Sequence, residues 1–234
     1  MTLPKHIALI PDGNRRWAKS RGLPSFLGHQ AGAEMAEKIF DAAYALGLEY
    51  VTFWGASISN VTKRDPLEVK FLYELFERYF KKLLKSKVLQ ERQARVRMLG
   101  FWEKYFPQSL QNVMRELEEA TKHFDKRHLT FLLAYNGTDE MLAAINTLLQ
   151  KNNHSELVDA AKLKSALFTH DLPPVDLVVR TGLDNDPHNS AGFMMWDTAE
   201  AQWYFTDTPW PAFDPTELQK ALDNYAVRER RLGA

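Results

Sequence analysis

Short unbroken apolar runs alternate along this chain with longer stretches in which apolar residues recur every third or fourth position. The first run, Ile7-Ala8-Leu9-Ile10, predicts a strand buried on both faces, ended by Pro11, which has no N–H for a sheet ladder. Residues 29–46 place Ala33, Ala36, Ile39, Phe40, Ala43 and Leu46 at helical spacing and stop at Gly47. Residues 50–54, β-branched and aromatic, predict a second strand. Residues 66–87 predict a long helix with Leu72, Leu75, Phe76, Tyr79, Phe80, Leu83 and Leu84 in a wide aromatic stripe, which by spacing alone reads as a surface packed on a sheet. A strand over 95–99 follows, then a helix over 107–123 with Pro107 in its first turn and a strand over 129–135. Helices over 139–150 and 156–168 flank a polar loop, and strands over 175–180 and 203–205 precede a final helix over 215–231. Strands alternating with helices, without repeat or linker, predict one α/β domain spanning residues 1–234, with a central, mostly parallel six-stranded sheet flanked by helices.

Composition narrows what such a domain does. Its 45% hydrophobic content supports a sizeable core. Thirty basic and thirty acidic residues cancel, so no overall field draws nucleic acid, and none is expected as a partner. The absence of cysteine excludes disulfides, thiol catalysis and cysteine-ligated zinc, and fits a reducing, cytoplasmic setting. The N-terminus lacks a signal-peptide pattern, and no run approaches the ~20 apolar residues that span a bilayer. Basic residues between Lys81 and Arg97 read as a solvated helix face, with peripheral membrane contact during product release as the alternative.

The candidate chemistry gathers at strand ends. Asp12-Gly13 is a turn, and Asn14 is placed to cap a helix that begins Arg15-Arg16-Trp17. A strand, a glycine turn and a helix start make an anion site in α/β proteins. One carboxylate beside two arginines suits a metal–phosphate pair better than either partner alone. The pattern is neither a P-loop nor a dinucleotide fingerprint. Ser57 and Asn60 follow the second strand, and Arg180 ends the fifth, where burial without a partner is costly. In a parallel sheet these ends share one edge, so the segments are expected to converge.

The same residues carry a family resemblance. His6-x-Ala8-x-Ile10-Pro11-Asp12-Gly13-Asn14-Arg15-Arg16-Trp17-Ala18, then Gly28-His29-x-Ala31-Gly32, resembles the opening signature of the cis-prenyltransferases, or isoprenyl transferases, which include the undecaprenyl diphosphate synthases. Asp176-Leu177-Val178-Val179-Arg180-Thr181-Gly182, Tyr204-Phe205-Thr206-Asp207, Trp210-Pro211-x-Phe213 and the closing segment from Arg228 to Gly233 follow in family order over nearly the whole chain. The resemblance implies an apolar tunnel beside the sheet, a homodimer, and Mg²⁺-dependent addition of isopentenyl diphosphate to an allylic diphosphate such as farnesyl or geranyl diphosphate, forming cis double bonds. The aromatic stripe of residues 66–87 then becomes a tunnel wall. By the same resemblance Asp12 holds Mg²⁺. Gly13, Asn14, Arg15, Arg16 and Trp17 cradle the allylic diphosphate with His29 nearby. Asn60 falls where proton handling is assigned, beside Ser57. As an amide is a poor base, Asn60 is read as an orienting group. In the run Lys63-Arg64-Asp65-Pro66, Arg64 aligns with the family's arginine before proline, with Lys63 as the alternative. Arg180 and Ser190 bind isopentenyl diphosphate, and residues 231–233 reach phosphate across the dimer.

Several positions depart from that pattern. Ser25 stands where an arginine is common, and His188 where an arginine is expected, in a loop longer than usual between Gly182 and Ser190. The second metal-ligating glutamate of the family falls at Gln202, a weaker magnesium ligand, so a nearby acid or the substrate phosphates would complete the shell. Two alternatives follow from these departures: a non-catalytic partner subunit of a heteromeric prenyltransferase, or irregular, branched coupling of two allylic diphosphates on the same fold.

Overall fold

Strand β1 (His6–Ile10) is buried at every position because it lies in the interior of a sheet covered on both faces. Ile7 and Leu9 join one apolar cluster and Ala8 and Ile10 another, as the two-residue period of a strand dictates. The structure, a computed structural model, describes residues 3–151 and 157–228. The sheet has six strands in the order β3-β4-β2-β1-β5-β6, where β2 is Tyr50–Trp54, β3 Ala94–Leu99, β4 Arg127–Leu132, β5 Leu177–Arg180 and β6 Gln202–Phe205. All five pairings are parallel.

Helices α1 (Asn14–Lys19) and α2 (Ser25–Ala45) connect β1 to β2. Helices α3 (Ile58–Thr62), α4 (Pro66–Lys85) and α5 (Val88–Arg92) lead to β3, and α6 (Trp102–Tyr105) and α7 (Gln108–Thr121) to β4. Helices α8 (Gly137–Lys151) and α9 (Ala160–Ala166) precede β5, and α10 (Pro215–Ala226) follows β6. Asp65 caps α4 by accepting from the Leu67 and Glu68 N–H groups, with Pro66 at its first position.

Several element boundaries differ from those the sequence predicts. Helix α2 starts at Ser25, four residues before the apolar period is visible, with Pro24 at its N-cap. The helix expected over 107–123 forms as α7 from Gln108 to Thr121, and Pro107, expected in its first turn, is instead its N-cap in extended conformation. Strand β4 ends at Leu132, because Ala134 takes a positive φ of 47° and the Tyr135 N–H turns to the Ala56 oxygen. Strand β5 begins at Leu177, since the Val175 N–H bonds the Asp197 oxygen instead of a ladder neighbour. The final helix, expected to run to 231, ends at Ala226 with Val227 as its C-cap; residues 229–231, and the polar loop after Lys151, fall outside the described residues.

Neighbouring strands β1 and β5 continue in opposite directions, β1 toward β2 and β5 toward β6. Their C-terminal ends therefore border a crevice at the switch point of the sheet.

Candidate active site

The turn after β1 is built by close approach. Gly13 has φ 97°, and a Cβ there would lie 2.9 Å from both Cα and Cβ of Pro209. Gly13, not Asn14, is the N-cap of α1, and no side chain caps it. Asn14 instead donates from Nδ2 to the Pro11 oxygen at 3.0 Å, and its Oδ1 is buried without a partner. Gly28 and Gly32 let α2 press against this turn: any side chain on Gly28 would collide with the Asn14 main chain, and on Gly32 with the Asn14 amide. The two glycines of the second signature segment are thus a packing device for Asn14.

Asp12 lies between two arginines. Its carboxylate is 3.4 Å from Arg16 Nη2 and 3.5 Å from Arg180 Nη2. Its main-chain oxygen accepts from the Trp210 N–H and the Thr181 hydroxyl, both at 2.9 Å, which fixes the turn to the neighbouring segments. Arg16 also pairs with Asp184 at 3.1 Å and donates to the Gly182 oxygen. Arg180 is only 5% exposed. It donates to the His188 main-chain oxygen, and its Nε is buried with no partner. A buried, unsatisfied guanidinium N–H next to a half-exposed carboxylate is a place for an anion.

Helix α4 adds a second charged set. Glu68 Oε1 accepts from Arg64 Nη1 at 3.0 Å and lies 2.9 Å from His29 Nε2. Burial holds the His29 pKa below the usual imidazole value, so the ring is neutral near pH 7, and burial also lowers the Arg64 pKa. Ser57 and Asn60 form a reciprocal cap on α3: Ser57 Oγ accepts from the Asn60 N–H and Asn60 Oδ1 accepts from the Ser57 N–H. The Asn60 side-chain oxygen is thereby committed to capping α3.

These groups surround two adjoining hollows. A polar one of about 600 Å³ is lined by residues 11–16, Lys19, residues 22–25, His29 and Arg64. Arg15, Arg16, Lys19 and Arg64 there face a single carboxylate, Asp12. The other, of about 520 Å³, shares Asp12, Asn14, Arg15, His29 and Arg64 and adds Ser57, Asn60, Arg180 and Ser190. It continues between the sheet and α4, along Leu72, Leu75, Phe76, Tyr79, Phe80 and Leu83. Phe131 packs its ring against Phe40, Phe53 and Phe80, with centroids 5.1–6.1 Å apart, and all four line this apolar part.

Asp12, Asn14, Arg15, Arg16, His29, Ser57, Asn60, Arg64, Arg180 and Ser190 are thus brought together, with Gly13 shaping the turn and His188 2.8 Å from Ser190. Two expected residues are not. Trp17 turns to the outer side of α1, where Arg21 stacks on its ring at 4.3 Å, and it lines neither hollow. Gln202 begins β6 in register with Leu177 and hence with Ile7, five residues before Asp12. At about 3.3 Å per residue this is ~16 Å along the strands, too far to share a metal shell with Asp12 within one chain. Residues 231–233 lie outside the described residues. Glu68, Thr181 and Trp210 were not singled out as site residues. Glu68 reads in sequence as an ordinary acid in a first helical turn, whereas Thr181 and Trp210 lie within segments that carry the resemblance but have no ionisable group to mark them as site residues.

No group of three or more His, Cys, Asp or Glu side chains suited to a metal occurs among the described residues. Asp12, with its side chain 44% exposed, fits a magnesium ion that takes its remaining ligands from substrate phosphates and water, the usual arrangement for that ion.

A parallel sheet whose switch point joins an arginine-lined hollow to an apolar cavity defines an α/β protein shaped for a ligand with an anionic head and an apolar tail. Comparison with known proteins is specific. The family described as "Putative undecaprenyl diphosphate synthase" matches residues 10–233. An isoprenyl transferase of Aquifex aeolicus is 37% identical over 100% of this chain and 97% of its own length. A tritrans,polycis-undecaprenyl-diphosphate synthase (geranylgeranyl-diphosphate specific) of Thermoplasma volcanium is 33% identical over 98% of this chain and 89% of its own. The crystal structure of lavandulyl diphosphate synthase from Lavandula x intermedia, in complex with dimethylallyl diphosphate, superposes with a TM-score of 0.91 at 28% identity, covering 99% of both chains. The chain belongs to the undecaprenyl diphosphate synthase family of cis-prenyltransferases.

Proposed function

We propose that this protein condenses isopentenyl diphosphate with an allylic diphosphate such as farnesyl or geranyl diphosphate, extending it by cis units. The observation that carries this reading is the meeting of Asp12 and Arg180 across the β1–β5 crevice, at the mouth of the apolar cavity. The diphosphate heads belong in the polar hollow and the hydrocarbon tail against α4. Asp12 would hold magnesium, which when bound would help neutralise the charge on the departing diphosphate. Arg15, Arg16, Arg64 and Arg180 stabilise the same charge from fixed positions, so little reorganisation is needed as the bond breaks. Phe40, Phe53, Phe80 and Phe131 line the apolar part of the cavity and exclude water from the tail.

The same reading includes a homodimer. Leu142, Ile145 and Leu149 are 60%, 41% and 54% exposed at spacings of three and four on α8, an apolar stripe fitted to a second copy. Sedimentation of the purified protein checks it. Among the described residues no helix is long and apolar enough to cross a membrane. We place the protein in the cytoplasm, touching the membrane surface only where product leaves, which cell fractionation tests.

The defining experiment incubates purified protein with Mg²⁺, labelled isopentenyl diphosphate and either primer, and reads product length by mass spectrometry. Extended product is expected; none with any primer, where a control synthase works, refutes the proposal. A second reading, coupling of two allylic diphosphates, is favoured by the likeness to lavandulyl diphosphate synthase and by the lengthened loop before Ser190. A branched product from dimethylallyl diphosphate alone, identified by NMR, would establish it.

A further inference from the structure

Joining two prenyl units through a carbon–carbon bond obliges the acceptor to shed one proton, and the groups described so far are poorly placed to take it. Asp12 is held between Arg16 and Arg180. The Asn60 oxygen is committed to the α3 cap, and the His29 ring to Glu68.

The loop after β5 offers a different arrangement. Ser190 lines the cavity together with Arg180. Its Oγ lies 2.8 Å from His188 Nε2. His188 Nδ1 in turn lies 3.0 Å from the Asp186 main-chain oxygen and 3.0 Å from Asp186 Oδ2. A carbonyl and a carboxylate only accept, so the neutral ring carries its proton on Nδ1. Nε2 is then a free lone pair, and Ser190 is the donor to it. The hydroxyl oxygen keeps its own lone pairs for what lies in the cavity. Arg180 donates to the His188 main-chain oxygen, so the guanidinium beside Asp12 also anchors this loop. The His188 side chain is 44% exposed, which gives a proton arriving there an exit to water.

Resting on the function proposed above, we infer that Ser190, His188 and Asp186 form a proton relay from the cavity to solvent. As the allylic C–O bond breaks, its electron pair leaves with diphosphate. The double bond of isopentenyl diphosphate supplies the pair for the new C–C bond, and positive charge moves to its tertiary carbon. The C–H pair on the neighbouring carbon becomes the new double bond. The released proton passes to Ser190 Oγ while the hydroxyl hydrogen passes to His188 Nε2, leaving diphosphate, the longer prenyl diphosphate and an imidazolium ion beside Asp186. A hydrogen beside a carbocation is strongly acidic, so a hydroxyl backed by an imidazole suffices as base. Ser190 is the catalytic residue, and His188 and Asp186 position and drain it.

The test uses the full-length protein with isopentenyl and farnesyl diphosphates, measured by single turnover so that product release does not mask chemistry. His188→Ala is expected to slow the chemical step about 10²-fold while the KM for isopentenyl diphosphate stays within about threefold. Ser190→Ala should slow it comparably. Added imidazole should restore turnover in H188A in proportion to its concentration, and should not restore S190A. His188→Arg restores the cation that the family resemblance leads one to expect, and should remain slow. A raised KM at unchanged rate in H188A, indifference of H188A to imidazole, or full activity in H188R makes His188 a diphosphate ligand and overturns the relay. A wild-type protein without extended product refutes the proposed function itself, and the relay with it.

Discussion

Replacing Gly13 by alanine tests the close approach on which the whole site depends. The residue sits at φ 97°, where an L side chain costs about 1–2 kcal/mol. The added Cβ would also lie 2.9 Å from Cα and Cβ of Pro209, and a backbone atom cannot swing aside as a flexible side chain can. Overpacking of that kind adds about 1–3 kcal/mol. Gly22→Ala is the matched control, for Gly22 has φ 66° and nothing within 4 Å of the new Cβ. The control meets only the conformational cost, so G13A should be less stable than G22A by about 1–3 kcal/mol, or roughly 2–12 °C in Tm for a chain of this size. Calorimetry on both variants and the wild type reads the difference. Pro209 precedes Trp210, whose N–H holds the Asp12 oxygen. The strain in G13A therefore moves the carboxylate, and kcat/KM should fall about 10²-fold, while G22A stays near wild type. Equal Tm losses in the two variants, or an active G13A, would refute the packing of the β1–α1 turn against the Pro209 segment.

Three further outcomes follow from the same geometry. Asp12→Ala should reduce turnover about 10³-fold with an unchanged far-UV circular dichroism spectrum, since the side chain is half exposed in a turn; activity within tenfold of wild type would remove Asp12 from the metal site. Gln202→Glu should leave the Mg²⁺ concentration for half activity unchanged, because strand register keeps this position from Asp12 within the chain; a lowered requirement would mean that a second copy brings Gln202 to the metal. His6 is fully buried between the Pro173 oxygen and Thr52, and burial lowers its pKa to about 4. The unfolded chain binds that proton from about pH 6.5 downward and the folded chain only near 4, so the His6 contribution to stability is complete above pH 6.5 and declines by about 3 kcal/mol as pH falls to 4. Denaturant midpoints measured from pH 7 to 4 should show this fall, and His6→Asn should lessen it.

Much of the architecture was legible before any coordinates, because each strand and helix advertises itself locally. Ile7 to Ile10 is an unbroken apolar run, the α4 stripe repeats at helical spacing, and Pro66 and Asp65 mark where that helix begins. Alternation of the two element types then restricts the sheet to parallel connections, which places Asp12 and Arg180 on the same edge. The boundaries less visible in sequence were set by distant partners: β4 stops where Ala134 takes a positive φ and the Tyr135 N–H bonds the Ala56 oxygen, and β5 starts late because the Val175 N–H bonds the Asp197 oxygen.

The site divides in the same way. Residue types and order along the chain determined that an acid, an amide and two arginines stand together after the first strand, since these are neighbours in sequence and their chemistry does not depend on what packs above them. Only the tertiary structure decided which of the distant residues join them. It tied Glu68 to His29 and Arg64, brought the Trp210 N–H to the Asp12 oxygen, turned Trp17 outward and set Gln202 at the far end of its strand. Those outcomes rest on strand register and on how closely α2 can approach α1, quantities fixed by the packing of the whole domain and absent from any single segment.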